Sequence, residues 1–146
     1  MKKINDKTIS EIADHIMMGE RCFLDKKTAA IHHFPADIDD LLMAFSEEEE
    51  EYINAVAELE KIEDAIENYI EFEPLTSSES YDIMDDFVYE MQNSTLKEKL
   101  IHALNNKSPF ANFKYLIDHS DQRQNWFDYR KKAYETHVRK TLEITE

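Results

Sequence analysis

The chain has 146 residues, of which 32 are acidic and 17 are basic, so its net charge is −15. A chain of this length suits one domain with a buried hydrophobic core, and its negative charge argues against binding to bare nucleic acid or an anionic membrane. One glycine, Gly19, is too few for the phosphate-binding loops of P-loop and dinucleotide-binding proteins, and one cysteine, Cys22, excludes an internal disulfide.

The acidic residues are concentrated in the middle of the chain. Residues 37–90 contain 20 acids and one base, whereas residues 1–36 have a net charge of +1 and residues 91–146 a net charge of +3. Such a segment is typical of a solvated face that aids solubility. It is also typical of a surface that mimics nucleic acid or engages a basic protein, and the sequence leaves both interpretations open.

The first predicted helix covers residues 8–18. Thr8 and Glu11 have the spacing of a capping box, with Asp6 as a competing cap, and apolar residues recur at helical spacing after them. Gly19 follows at the position where helices often end in a left-handed backbone conformation.

Two short strands are predicted next, at residues 21–25 and 29–34, with Lys26 and Lys27 at the turn. Neither lysine favours a positive φ, so the pattern predicts a longer loop or a bulge in place of a tight two-residue turn. Pro35 ends the second strand, since proline cannot donate a hydrogen bond to a β-ladder.

The acidic middle of the chain is predicted to contain two helices and a strand. Residues 37–45 fit a short helix, and Ser46 with Glu49 forms a capping box that starts a longer one. The apolar stripe of the longer helix consists of Tyr52, Ala55, Leu59, Ile62, Ile66 and Tyr69. From Tyr69 onward the residues alternate, which favours a third strand, because an isolated two-stranded hairpin is marginal in water.

Four further helices are predicted in the C-terminal half, each with a recognisable start. The caps are Thr76 with Glu79, Ser94, Ser108 followed by Pro109, and Ser120 with Asp121. The inward faces of the first three of these helices are predicted to hold Tyr81, Met84, Phe87, Val88, Met91, Leu96, Leu100, Ile101, Leu104, Phe110, Phe113, Leu116 and Ile117.

These elements predict a mostly helical α+β fold. A small antiparallel sheet, made of the hairpin plus one strand, is expected to pack with about six helices. We expect a single domain over residues 1–146, in which residues 1–73 form the N-terminal helix, hairpin and acidic helix, and residues 74–146 form a helical part.

Several short motifs resemble one bacterial family. They are YIEFEP at residues 69–74, YDIMDDF at residues 81–87, AL at residues 103–104 followed by PFANFK at residues 109–114, and WFDYR at residues 126–130. They are similar to the uncharacterised protein family numbered 0158 in the UPF series, most clearly over residues 69–143. Members usually carry glycine where this chain has Ala29 and Asn106. The family has no assigned activity, so the resemblance implies a fold and candidate residues but no reaction.

The candidate binding residues are aromatic side chains interleaved with charged ones. They are Phe110, Phe113, Lys114, Trp126 and Arg130 on two consecutive predicted helices, with Tyr81 and Asp82 on an earlier helix. One interpretation is an aromatic groove with a cationic mouth, which suits a peptide, a nucleotide base or a carboxylate. The other is a closed core between helices, with Lys114 and Arg130 extending to water.

The sequence predicts no metal, no cofactor and no catalytic residue. No glutamate has a histidine three residues later, as di-iron bundles require, and Asp37 with Asp39 lacks the later ligands of a calcium loop. His32 and His33 are adjacent, so on a strand they face opposite sides. Ser94 matches the start of an S-x-x-K motif whose companion motifs are missing.

We therefore expect a cytoplasmic bacterial protein that acts as a non-catalytic binding or interaction module for a basic protein, as a monomer or homodimer. The alternatives are a small hydrolase-like enzyme with an aromatic and cationic pocket around Asp82, Lys114, Trp126 and Arg130, and an acidic inhibitor or immunity-type protein of a basic partner. No membrane span or signal segment is expected, because no apolar run approaches the roughly 20 residues of a membrane helix.

Overall fold

The computed structural model describes residues 4–36 and 50–145, which contain six α-helices and one three-stranded antiparallel sheet. The elements are α1 (Asp6–Met17), β1 (Glu20–Asp25), β2 (Ile31–Pro35), α2 (Glu50–Asp64), β3 (Tyr69–Phe72), α3 (Ser77–Glu90), α4 (Thr95–Leu104), α5 (Pro109–Asp118) and α6 (Arg123–Thr145), with a 3-10 turn at Ile66–Asn68. The predicted α+β, mostly helical fold with a hairpin plus one strand is confirmed. The helix predicted at residues 37–45 and the capping box at Ser46 lie outside the described residues.

The chain divides into two compact units. The N-terminal unit consists of Met1–Pro74 together with Tyr134–Glu146, and the helical unit consists of Leu75–Ala133. No helix among the described residues is long and apolar enough to cross a membrane.

β1 is the central strand of the sheet in the N-terminal unit. It pairs with β2 and β3 in antiparallel register, in the order β2-β1-β3. Cys22, Phe23 and Leu24 are fully buried, because β1 has covered side chains on both faces. On one face Phe23 packs with Phe34 and with the α2 side chains Leu59 and Ile62.

The opposite face of the sheet carries Cys22 and Leu24, which pair with Phe72 and Ile70 of β3. Helix α1 contacts β1 and buries one apolar stripe, which consists of Ile9, Ile12, Ala13 and Ile16. The strand predicted to start near Tyr69 is present as β3 and is confirmed. The sheet that it completes is covered by α2 on one face and by α1 on the other.

Helix α1 starts two residues earlier than its predicted start. Asn5 is the N-cap, and its side-chain oxygen accepts a hydrogen bond from the Thr8 backbone N–H at 2.9 Å. The predicted capping box at Thr8 is wrong, because an earlier cap places Thr8 inside the first turn. Gly19 ends the helix with φ 86°, as its position predicted.

The hairpin between β1 and β2 has a loop of five residues, so the expectation of a longer loop is confirmed. The Asp25 carboxylate accepts hydrogen bonds from the backbone N–H groups of Lys27 at 2.8 Å and Thr28 at 3.1 Å. Ala29 then adopts the left-handed conformation with φ 62°. Thus a side chain with a Cβ occupies a position whose backbone favours glycine.

The helical unit is built around α3, α4 and α5. The predicted capping box of Thr76 and Glu79 is present at the start of α3. The core of the unit consists of Met84, Phe87, Val88, Leu100, Leu104, Phe113 and Ile117. The inward position predicted for Ile101 is wrong: its side chain is 44% exposed, because the buried residues of α4 are Leu100, Ala103 and Leu104, at helical spacings of three and four. Ser108 precedes α5 in a left-handed conformation and makes no side-chain cap.

Candidate functional sites

The predicted aromatic residues divide between the core and the surface of the helical unit. Phe113 is 2% exposed and makes an edge-to-face contact with Trp126 at a ring-centroid distance of 4.8 Å. Trp126 also contacts the buried ring of Phe87 at 5.3 Å. Tyr81 packs against the same cluster, and its hydroxyl donates a hydrogen bond to the Leu104 carbonyl at 2.8 Å. These contacts bring Tyr81, Phe113 and Trp126 into one packed cluster.

None of the other four predicted site residues is buried. Phe110 is 43% exposed, and Lys114 and Asp82 are exposed as well. Arg130 is half-buried on α6. The Arg123 guanidinium lies over the Phe127 ring, 4.5 Å from its centre.

A stripe of carboxylates follows the exposed side of α3. It consists of Glu79, Asp82, Asp85, Asp86 and Glu90, all of which are exposed. Helical spacing of three and four residues brings most of them onto one side. Within residues 4–36 and 50–145, no cation forms an ion pair with Asp82, Asp85, Asp86 or Glu90. We call these four residues the α3 acidic face.

A cleft of about 430 Å³ adjoins the C-terminal end of the α3 acidic face. Its lining combines Glu90 and Asp128 with the aromatic rings of Phe87 and Tyr129, and Lys132 is also on its wall. Burial, together with the charges of Glu90 and Asp86, raises the pKa of the Tyr129 phenol. The cleft therefore has an aromatic wall in a negative electrostatic environment, which is the combination that holds a cationic side chain.

Three acids of α2 and β3, Glu58, Glu63 and Glu71, have partners within the N-terminal unit. Arg21 donates hydrogen bonds to the Glu71 carboxylate at 2.6 and 2.9 Å, and it lies 3.9 Å from Glu63. His32 lies 2.8 Å from Glu58. Glu58, Glu63 and Glu71 are thus paired within the protein itself, in contrast to the α3 acidic face.

A second cluster joins two histidines and a glutamate in the N-terminal unit. Glu20 Oε1 lies 3.0 Å from His15 Nδ1, and Glu20 Oε2 lies 2.8 Å from His33 Nδ1. The two imidazole rings are stacked, with centroids 4.0 Å apart and an interplanar angle of 19°. His32 and His33 face opposite sides of the sheet, as predicted, since they pair with Glu58 and Glu20 respectively.

The electrostatics of this cluster follow from burial and from the two imidazoles. Burial alone raises the pKa of Glu20, but the hydrogen bonds and charges of His15 and His33 outweigh it and hold the pKa below its usual value. Burial, followed by the charge of Glu20, raises the pKa of the Cys22 thiol to about 12. Cys22 is therefore a protonated, small apolar core residue.

The sequence pattern did not identify this histidine and glutamate cluster. His15 is in the last turn of α1, Glu20 is the first residue of β1, and His33 is on β2, so no fixed motif spacing joins them. Their proximity depends on the strand register and on the packing of α1. The sequence signal for this cluster is weak: His15 and Glu20 lie on either side of Gly19, the glycine that ends α1.

Comparison with known proteins gives one match. A family model described as "Uncharacterised protein family (UPF0158)" matches residues 13–145. The match extends further toward the N-terminus than residues 69–143, where the resemblance in sequence motifs is clearest. Neither the curated proteins nor the solved structures that were compared give a match.

Proposed function

The chain belongs to the uncharacterised protein family UPF0158, and from its own surface we propose that it is a non-catalytic binding module that engages a basic protein through the α3 acidic face. The observation that carries this proposal is the contrast between two sets of carboxylates. Glu58, Glu63 and Glu71 of α2 and β3 are paired by His32 or Arg21, whereas the carboxylates of the α3 acidic face have no ion-pair partner among the described residues.

Like charges on one helix face repel one another and lower the stability of the helix. An oppositely charged partner removes this repulsion. Asp82 and Asp86 are four residues apart, and like-charged pairs at this spacing destabilise a helix by about 0.2–0.5 kcal/mol. A basic partner would relieve this repulsion and would also be steered toward the face during its approach. Complementary charge therefore supports a lysine- or arginine-rich protein surface as the partner.

The neighbouring cleft supports one anchoring contact. An arginine or lysine of the partner would place its charge between Glu90 and Asp128 and its aliphatic stem against the rings of Phe87 and Tyr129. Lys132 on the same wall opposes such a cation. We therefore expect the removal of the Lys132 charge to strengthen binding, and the removal of the Glu90 charge to weaken it.

An NMR titration with a hexa-arginine peptide tests where a basic chain binds. We expect the largest chemical-shift changes in α3 and at Tyr129, and a loss of binding as salt rises, because exposed charges are screened over about 10 Å at roughly 0.1 M salt. Shifts that concentrate on the acids of residues 37–64, with α3 unchanged, would overturn the proposed location.

Charge variants test the affinity with matched controls. Asp82→Asn, Asp86→Asn and Glu90→Gln combined remove three charges, and exposed pairs are worth about 0.2–1 kcal/mol each. We expect binding of the peptide to weaken by roughly five- to thirtyfold, which corresponds to about 1–2 kcal/mol. Glu98→Gln, Glu135→Gln and Glu143→Gln change the net charge equally at exposed or half-exposed positions outside α3. Equal weakening in both triple variants would mean that net charge alone attracts the peptide.

The proposal also covers the cellular location of the protein and the kind of binding module it is. The free, buried Cys22 and the absence of any second cysteine in the chain suit a reducing compartment, and we propose the bacterial cytoplasm. An acidic inhibitor or immunity-type protein is the form of binding module that the α3 acidic face favours, since such a protein neutralises a basic partner by charge complementarity. A fusion with a fluorescent protein, expressed in bacteria and followed by fractionation, tests the location.

A further inference from the structure

We propose that His15, Glu20 and His33 form a binding site for one divalent transition-metal ion of the Zn²⁺ type. The site lies in the N-terminal unit, and it is independent of the binding function proposed for α3. Two imidazoles and one carboxylate are a ligand set that suits Zn²⁺ and neighbouring first-row ions.

The backbone holds the three side chains from three different elements. Glu20 pairs with Pro35 and Cys22 pairs with His33, so Glu20 and His33 are diagonal neighbours on the same face of the hairpin. The Ala36 N–H donates a hydrogen bond to the Gly19 carbonyl at 3.1 Å, which ties the end of β2 to the start of β1. Helix α1, which carries His15, contacts β1 on that face.

The distances suit a single ion. One ligand atom from each of the three side chains lies within 4.8 Å of the other two. Bonds of about 2.0–2.2 Å to zinc place the ligands of one ion roughly 3–4 Å apart. The nearest Glu20 oxygens already lie 3.0 Å from His15 Nδ1 and 2.8 Å from His33 Nδ1, so small side-chain rotations would bring all three groups into coordination.

Accessibility suits an ion that enters from solvent and retains a water molecule. The side chains of His15 and Glu20 are each 23% exposed, and that of His33 is 48% exposed. The sheet thus covers one side of the site, and the other side is open to solvent. Three protein ligands leave the fourth position of a tetrahedral ion for water or for a group supplied from outside.

His32 provides a matched control on the opposite face of the same strand. It also pairs with a glutamate, Glu58, at 2.8 Å, but it belongs to no cluster of three metal-ligating groups among the described residues. Replacing His32 by alanine therefore removes one imidazole and its contact with Glu58. It leaves the proposed ligands His15, Glu20 and His33 unchanged.

Titration of the untagged protein with Co²⁺, after treatment with a chelator, tests the proposal. Co²⁺ reports its coordination by visible absorption, and calorimetry with Zn²⁺ gives the stoichiometry. We expect one tight equivalent for the wild type, a loss of affinity of at least about tenfold for His15→Ala, His33→Ala and Glu20→Gln, and no change for His32→Ala. Equal weakening by His32→Ala and His33→Ala would overturn the assignment of ligands.

Paramagnetic broadening by Co²⁺ locates the ion in the wild-type protein, and this measurement does not depend on the folding of any variant. We expect the NMR signals of His15, Glu20 and His33 to broaden first. No binding at one equivalent would overturn the proposal, and so would broadening confined to the α3 acidic face.

Discussion

Ala29 occupies a backbone conformation that glycine adopts at no steric cost. Its φ of 62° lies in the left-handed region, and it is held there by the hairpin loop, in which the Ala29 N–H donates to the Asp25 carbonyl at 2.8 Å and the Asp25 N–H donates to the Ala30 carbonyl at 2.9 Å. We predict that Ala29→Gly stabilises the N-terminal unit, because the loop keeps its geometry and the Cβ clash disappears.

The magnitude follows from two opposing terms. An L-residue in the left-handed region costs about 1–2 kcal/mol, and this cost is removed by glycine. Glycine loses more backbone freedom on folding, which costs roughly 0.5–1 kcal/mol relative to alanine. The difference predicts a net stabilisation of about 0.5–1 kcal/mol, or roughly a two- to fivefold change in the folding equilibrium constant.

Native-state hydrogen exchange is the appropriate assay, since it reports each unit separately. The single tryptophan, Trp126, is in the helical unit, so its fluorescence does not report the hairpin directly. We expect the slowest-exchanging amides of β1 and β2 to become roughly two- to fivefold more protected in Ala29→Gly. Unchanged or weaker protection would refute the argument that φ at this position is strained.

Asn106 provides the control, because it follows a helix end where glycine is also common but its backbone is not left-handed. Its φ is not positive, and its side chain donates a hydrogen bond to the His102 carbonyl at 2.6 Å. Asn106→Gly therefore loses a contact and relieves no strain, so we expect a small destabilisation. A stabilisation equal to that of Ala29→Gly would mean that glycine helps for a reason other than the left-handed backbone.

Three further predictions concern the core, the hairpin loop and the acidic segment. Phe113→Ala should destabilise the helical unit by about 3–5 kcal/mol in denaturation followed by Trp126 fluorescence, and a loss below about 1 kcal/mol would indicate an open groove. Two backbone N–H groups lower the pKa of Asp25, so its contribution to stability is present above its unfolded-state pKa and is lost as pH falls through the lower folded value. Asp25→Asn should therefore flatten the acid limb of the stability curve. In thermal denaturation Glu71→Gln should destabilise the protein, because it weakens the hydrogen bonds from the Arg21 guanidinium. Asp86→Asn should be neutral or slightly stabilising, because it removes the repulsion between Asp86 and Asp82.

Local signals in the sequence predicted most of the fold correctly. The capping box at Thr76, the glycine that ends α1 and the alternation that starts at Tyr69 each act within a few residues, and each appears in the structure. The start of α1 was misplaced, since Asn5 and Thr8 are both suitable caps and only the backbone path selects between them. The inward position predicted for Ile101 is wrong, because helical periodicity does not define the width of a buried stripe.

The candidate sites depend on contacts that local signals do not contain. The cluster of His15, Glu20 and His33 requires the register of the hairpin, and that register depends on a five-residue loop with Ala29 in a left-handed conformation. The spacing of the aromatic residues in the sequence is the same for a binding groove and for a closed core. Only the burial of Phe113 and its contact with Trp126 show that these side chains are packed.

The net charge of −15 has two physically different components, and they have different consequences for function. Where Arg21 and His32 pair with glutamates of α2 and β3, the carboxylates hold the N-terminal unit together, and their loss should reduce stability. Where α3 presents Asp82 and Asp86 without a described cation, the charges oppose folding slightly, so stability does not explain their presence. Because the acids of this face do not stabilise the helix, their exposure supports our proposal that α3 recognises a basic surface, in which complementary charge would offset the repulsion.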